Sequence, residues 1–294
     1  MKILITGGSG LLGQYLNITL SKVNRILTLY NSNEGNCRQY HSVKVDLTDK
    51  EKLNDLFILF SPDIVIHTAA VSRPELCDEL PEDYIIAINV TSARSLAELC
   101  EKQKAKLIFT STDLVYHGDS VQMHSEDSKI DPISLYAKTK VMAENEIRST
   151  FDNYIILRTS LLYGIGLNNS VNNFHNMFFS FKTNRPVRLF HDQFRTPLAL
   201  SDAAKLISEL IKLNIKNITL NFGGNQRISR AELGLILCDR AGFDKQLIIE
   251  TSMFDIATLH KVKDVSMDTS WLQSLGLKQK SIFESIDEIV EQYS

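Results

Sequence analysis

Read from the amino terminus, the chain sets short apolar, β-branched runs against longer stretches in which apolar residues return every three to four positions. Lys2–Thr6, Arg25–Leu29, Ser42–Val45, Asp63–Thr68, Lys106–Ser111 and Tyr154–Arg158 have the length and composition of strands. Between them, Leu11–Ser21, Lys50–Phe60, Pro81–Gln103 and Tyr136–Thr150 carry the helical period. This alternation predicts an α/β fold, a doubly wound parallel sheet with helices on both faces. After Leu161 the rhythm loosens: Gly164, Gly166, Asn168 and Asn169 mark a loop, and Pro186 and Pro197 mark further breaks. Ser201–Leu213 reads as a helix with Ser201 or Asp202 near its cap, and Ile218–Phe222 as a returning strand.

Composition narrows the class without naming a chemistry. With 294 residues, 44% of them hydrophobic, the chain has ample material for a large core. A net charge of -3 gives no basic surface for a phosphate backbone, so no nucleic-acid partner is expected. Cys37, Cys77, Cys100 and Cys238 form no CxxC pair and the seven histidines show no ligand spacing, so neither a metal site nor a redox motif is expected. The apolar start breaks off at Thr6, Gly7 and Gly8, and no run approaches the roughly 18 apolar residues of a membrane span. The expectation is a reduced cytoplasmic protein with no membrane contact.

Directly after the first strand stand Gly7, Gly10 and Gly13, followed by a helical run. A dinucleotide pyrophosphate requires backbone amides at close approach with a helix amino terminus behind them, and glycines permit both. The sheet is therefore expected to be of the Rossmann type. The acid that ordinarily holds a ribose hydroxyl at the end of the second strand is absent, with Tyr30, Asn31 and Ser32 there instead; this leans toward NADP(H) over NAD(H), with Arg38 as a candidate phosphate partner. Asp46 and Leu47 stand where a carboxylate meets an adenine edge, or where an Asp-Thr-Asp turn caps a helix.

Tyr136 and Lys140 lie four apart in a predicted helix and so share a face. A phenol serves as a general acid near neutrality when a neighbouring cation stabilises its phenolate, which is the part expected of Lys140. Tyr40 and Lys44 repeat the spacing, but in a stretch leading into a strand, where four residues span about 13 Å and the two groups cannot meet. Thr112, at the carboxyl end of the fifth strand, stands where open α/β sheets bind ligands, placed to donate to a substrate carbonyl; satisfying local backbone is the structural alternative.

Taken in order, GGSGLLG at 7–13, HTAA at 67–70, Asn89-Val90 and YAKTK at 136–140 resemble the extended short-chain dehydrogenase/reductase family. STDLVYHG at 111–118, SEDSKIDPISLYAKTKVMAE at 125–144, RTSLLYG at 158–164, DQFRTPLALSDAA at 192–204 and KDVSMDTSWLQSLGL at 263–277 are most similar to its dTDP-4-dehydrorhamnose reductases. The resemblance implies an NAD(P)-dependent oxidoreductase of carbohydrate biosynthesis that reduces a 4-keto deoxysugar nucleotide or a similar polar keto substrate, with a homodimer left open. It implies Gly7, Gly10, Leu11 and Leu12 at the pyrophosphate, Asp46 and Leu47 at the adenine, and Ala69 and Ala70 along the cofactor's middle. Thr112, Tyr136 and Lys140 would be catalytic, the latter two also touching the cofactor. By position alone, Arg73 and Arg195, with Asp113, are candidates to meet substrate phosphates or hydroxyls, solvated surface charge being the alternative for the arginines. Asn89 would be structural or a proton relay, and His67 buried packing. The implied division assigns 1–161 to the dinucleotide domain, with 192–224 returning to it, and 162–191 with 225–294 to a smaller α/β carboxyl-terminal substrate lobe.

Two positions depart from the rhamnose pattern, because Leu114 and Leu161 replace an aromatic residue and a tryptophan that lie close to the sugar, which puts a different substrate in view. The alternatives are a sugar-nucleotide epimerase or dehydratase, although Leu114 spoils the acidic pair of the dehydratases. A third is a non-catalytic dinucleotide-binding subunit, since 111–118 also resembles the regulatory subunit of methionine adenosyltransferase. Trp271 is expected to pack in a helix.

Overall fold

The computed structural model describes residues 1–119, 122–168, 170–257 and 260–293, so Asn169 of the expected loop lies outside the described residues. The first half runs β1 (Lys2–Thr6), α1 (Leu11–Leu20), β2 (Arg25–Tyr30), β3 (Ser42–Lys44), α2 (Lys50–Phe60), β4 (Ile64–His67), α3 (Pro74–Glu79), α4 (Glu82–Ile86), α5 (Ser92–Gln103), β5 (Lys106–Thr112), α6 (Leu135–Thr150) and β6 (Tyr154–Thr159). The second runs β7 (Leu162–Tyr163), α7 (Asn173–Lys182), β8 (Val187–Phe190), β9 (Phe194–Arg195), β10 (Leu198–Ala199), α8 (Leu200–Leu210), β11 (Ile218–Phe222), β12 (Ile228–Ser229), α9 (Arg230–Ala241), β13 (Ile248–Thr251), α10 (Ser270–Ser274) and α11 (Ile282–Tyr293).

Seven strands form one sheet in the order β11-β6-β5-β4-β1-β2-β3, and every pairing is parallel. Side chains alternate between faces along each strand, so Ile3 and Ile5 enter one apolar layer and Leu4 the other. Leu16 and Leu20 of α1 and Leu206 and Ile207 of α8 complete the first layer; Leu53 and Phe57 of α2, Leu96 of α5 and Ile147 of α6 complete the second. Cover on both faces is why β1 and β4 read as unbroken apolar runs. From β1 the chain winds outward through β2 and β3, then crosses back to β4 on the other side of β1. That reversal opens a crevice beyond the carboxyl ends of β1 and β4, the place where such sheets take ligands.

Three expectations are corrected. The helix foreseen over Pro81–Gln103 is interrupted, because Pro81 stands outside as the cap of α4 and residues Ala87–Thr91 form a π-turn before α5. Helix α8 starts at Leu200 and ends at Leu210; Ala199 is its cap, while Asp202 accepts the Lys280 amide at 3.0 Å from within the first turn. Trp271 is 41% exposed on α10, and its neighbour Leu272 fills the core instead. A separate apolar cluster gathers Phe174 and Phe178 of α7, Leu233 and Leu237 of α9, and Ile286 of α11. All four cysteines are buried and free, and no described helix is long and apolar enough to cross a membrane.

Candidate active site

A cleft of about 1760 Å³ runs along the carboxyl edge of the sheet, walled on one side by the glycine loop and on the other by α7, β8 and the start of α9. That exceeds the few hundred Å³ of a single small-ligand pocket, leaving room for two ligands. Gly7 turns the chain with φ +66°, and a Cβ there would stand 2.7 Å from the Ala69 amide nitrogen. A Cβ on Gly13 would meet the Gly7 carbonyl oxygen at 2.1 Å, so α1 can lie against the loop only if that position is glycine. Gly10 caps α1 with no side-chain acceptor, and no acid stands in the first turn. The helix-terminal amides at Leu11 and Leu12, both on the cleft wall, therefore suit a diphosphate, whereas the Gly10 amide closes the loop by donating to the Gly7 carbonyl at 2.9 Å.

Farther along, Tyr30, Asn31, Ser32, Arg38, Asp46, Leu47, Ala69 and Ala70 line the same cleft. Asp46 closes a turn by accepting the Thr48 amide at 2.9 Å and its hydroxyl at 2.8 Å, whereas the cap of α2 is Asp49. Sequence reasoning missed Glu34, a carboxylate four residues beyond Tyr30 that lines the cleft and, after burial, helps raise the pKa of the Tyr30 phenol.

At the centre, Tyr136 and Lys140 project from one face of α6, whose start is fixed by Ser134 accepting the Ala137 amide at 3.2 Å. The Lys140 ammonium donates to the Thr110 carbonyl at 2.8 Å and lies 5.9 Å from the centre of the Tyr136 ring. Thr112, the last residue of β5, stands beside the Tyr136 phenol, while its hydroxyl donates to the Asp113 carboxylate at 3.3 Å and accepts the Leu114 amide at 3.3 Å, the local-backbone contact that was the structural alternative. All three line the cleft, whereas Tyr40 and Lys44 do not, Lys44 ending β3. Asn89 sits on the π-turn, where the extra residue turns its side chain inward: it donates to the Thr139 hydroxyl at 3.0 Å and pairs with the Val71 backbone at 2.9 and 3.2 Å. His67 is fully buried, its Nδ1 2.6 Å from the Thr6 hydroxyl, and burial holds its pKa down at about 3.

Burial governs the charges here. It lowers Lys140 from its ordinary 10.5 to about 8. It also raises the Tyr136 phenol above its ordinary 10, and the Asp113 carboxylate pushes the same way. Lys140 was expected to hold the phenol's proton affinity down. In this structure it serves the Thr110 carbonyl instead, and burial outweighs it, so Tyr136 holds its proton throughout the physiological range.

Asp113 and Arg195 pair with each other at 3.6 Å, both buried, and Ser160 donates to Asp113 at 3.1 Å. Burial pushes the Asp113 carboxyl up, and Arg195 opposes it. The Arg195 guanidinium also donates to the Phe194 carbonyl at 2.7 Å, and the residue lines the cleft next to Asp113. Arg73 stands exposed at the start of α3 and lines the mouth. Sequence reasoning overlooked Arg188 and Arg230, which line the same cleft; Arg230 donates to Gln193 at 3.1 Å and helps hold the Asp113 carboxyl down, and among the described residues neither arginine has a carboxylate within ion-pair distance. Burial and Arg195 lower Arg230 to about 10.

Behind the trio, Glu144 accepts from the Ser111 hydroxyl at 2.5 Å and from Arg158 at 3.0 and 3.2 Å, and Arg158 also donates to the Tyr116 hydroxyl at 2.9 Å. This buried network fixes α6 against β5 and β6, and with it the separation of Tyr136 from Thr112.

A family model described as the RmlD substrate binding domain matches residues 1–294. The chain belongs to that family. This RmlD-family chain carries the glycine loop, the strand-end hydroxyl and the Tyr-Lys pair in one cleft. It is 28% identical over 261 residues to a probable low-salt glycan biosynthesis reductase of Haloferax volcanii, covering 87% of this chain and 85% of that one. It is 26% identical over 292 residues to methionine adenosyltransferase 2 subunit beta of Mus musculus, covering 97% and 85%. The crystal structure of a dTDP-4-dehydrorhamnose reductase from Bacillus anthracis in complex with NADP has the same fold, with a TM-score of 0.85 at 24% identity, covering 100% of this chain and 99% of that one.

Proposed function

We propose that the protein is an NAD(P)H-dependent reductase of a 4-keto deoxysugar nucleotide. The observation that carries this reading is the convergence of Thr112, Tyr136 and Lys140 on one cleft with the glycine loop and the start of α1. Bound there, a nicotinamide dinucleotide would supply the hydride. Gly7, Gly10, Leu11 and Leu12 seat its diphosphate, Asp46 and Leu47 its adenine, and Ala69 and Ala70 its middle. Thr112 orients the substrate carbonyl, and the protonated Tyr136 donates to its oxygen. Lys140, tied to Thr110, faces the ribose. Arg188 and Arg230, on the stretch of wall formed with α7, attract an anionic substrate, with Arg73 at the mouth; Asp113 holds Arg195 and Thr112 in place. In this scheme 1–161 with 192–224 carries the cofactor, and 162–191 with 225–294 the substrate.

Arg38 favours NADP(H), and Glu34 opposes an added phosphate, so preference is decided by titrating both cofactors side by side. Dehydration is poorly supported, since Asp113 is spent on Arg195 and Leu114 offers no second acid. A non-catalytic dinucleotide-binding subunit is the second reading, favoured by the likeness to the mouse subunit over nearly the whole chain. Loss of NADPH and NADH absorbance against a panel of keto-sugar nucleotides tests both. Turnover that falls about 100-fold or more in Tyr136→Phe supports the reductase; no turnover across the panel, with a larger partner coeluting, supports the subunit.

A further inference from the structure

One turn into α1, behind the glycine loop, Gln14 is 0% exposed and uses its whole hydrogen-bonding inventory. Its Nε2 donates to the Ser9 carbonyl at 3.0 Å and to the Leu167 carbonyl at 2.8 Å. Its Oε1 accepts from the Asn36 amide at 3.0 Å and from the Asn168 side chain at 2.9 Å. A buried amide is costly unless every group is paired, and an apolar residue would fill the space without that demand. The pairing here joins three segments distant in sequence: the glycine loop, the turn after β2, and the stretch leading to α7. Gly35, at φ +56°, lets the turn approach, since a Cβ there would stand 3.1 Å from the Gln14 amide carbon.

The next residue repeats the tie. The Tyr15 hydroxyl donates to the Ile165 carbonyl at 2.7 Å. A few residues on, Asn172 caps α7 by accepting the His175 amide at 2.7 Å, while its own Nδ2 is buried without a hydrogen-bond partner among the described residues. Asn172, Asn173 and Asn176 then line the cleft wall that also bears Arg188 and Arg230.

We propose that Gln14 is a positioning residue that couples the two ends of the cleft: a dinucleotide seated on the glycine loop and the turn after β2 fixes residues 164–168 through Gln14, and with them the start of α7. This rests on the reading of the cleft as a dinucleotide site. Coupling of this kind is reciprocal, so a ligand held by α7 tightens the dinucleotide by the same factor.

Hydrogen exchange followed by mass spectrometry on the full chain, with and without NADPH or NADH, tests it. In the wild type, cofactor slows exchange about tenfold both at the glycine loop and across 164–176. Gln14→Met keeps the volume and loses all four bonds, so protection persists at the glycine loop and is lost across 164–176. Asn168→Gly keeps the φ of +46° and loses one bond, and Tyr15→Phe loses the second tie; each weakens the distal protection, and they carry the test if Gln14→Met does not fold. Distal protection undiminished in the variants, or absent in the wild type while the glycine loop is protected, overturns the coupling. Absence of any cofactor-dependent protection in the wild type overturns the dinucleotide reading, and the coupling with it.

Discussion

Replacing Lys140 with methionine separates what the residue costs the fold from what it gives the site. Lys140 is 2% exposed, and burial brings its pKa from 10.5 to about 8. At about 1.4 kcal/mol per unit, a charged Lys140 costs the folded state about 3 kcal/mol near neutrality. Below about pH 8 both folded and unfolded chains carry the charge, and the penalty is complete. Between about 8 and 10.5 the folded chain has released a proton that the unfolded chain still holds, so on this account stability rises with pH. Methionine fills the volume without that penalty, at a cost of about 1–3 kcal/mol for the Thr110 carbonyl left without its donor. The second cost does not depend on pH. Urea unfolding of both proteins from about pH 7 to about pH 9.5 should therefore show the wild type gaining about 2 kcal/mol relative to Lys140→Met, while the variant has lost activity throughout. Parallel stability curves would refute the reasoning, because they would mean that Lys140 is not charged in a dry environment.

The same titration predicts a fall in kcat/KM above about pH 8 for the wild type, and Lys140→Arg, which cannot lose its charge, should move any residual activity's bend upward by at least about one unit. Glu144→Ala leaves the Arg158 guanidinium buried without its carboxylate and should lose about 3–5 kcal/mol in denaturant unfolding. Gly13→Ala forces a methyl against the Gly7 carbonyl, so cofactor binding measured by fluorescence should fail along with about 1–3 kcal/mol of stability. Arg230→Leu should raise KM for an anionic keto substrate about 10- to 100-fold with little change in kcat, the signature of lost uniform binding.

The central sheet was legible because its inner strands are buried on both faces and read as apolar runs bounded by breaks, whereas edge strand β3 has no buried residue. Tyr136, Lys140 and Thr112 were legible for a related reason: one pair is a helical spacing, and the hydroxyl is a strand end, so local geometry and sheet topology together bring them to one edge. What escaped was set by tertiary contact. Strands β7, β9, β10 and β12 are two residues long and exist only by pairing with distant segments. The Asp113–Arg195 and Glu144–Arg158 pairs have no sequence spacing to betray them, and the first joins two of the candidate substrate contacts to each other. Other signals were present and unread: Ser229 with Glu232, and Ser281 with Glu284, are capping boxes that announce α9 and α11. The pKa of Tyr136 could not be read from its distance to Lys140 in sequence, because burial depends on what packs around α6.

The measurement that bears most directly on the account is a single-turnover reaction with NADPH or NADH deuterated at the transferring position, in wild type and Tyr136→Phe. Product carrying one deuterium at the former carbonyl carbon, formed about 100-fold or more slowly by the variant, is the predicted result. Unlabelled product, or labelled product formed equally fast by both proteins, would contradict it.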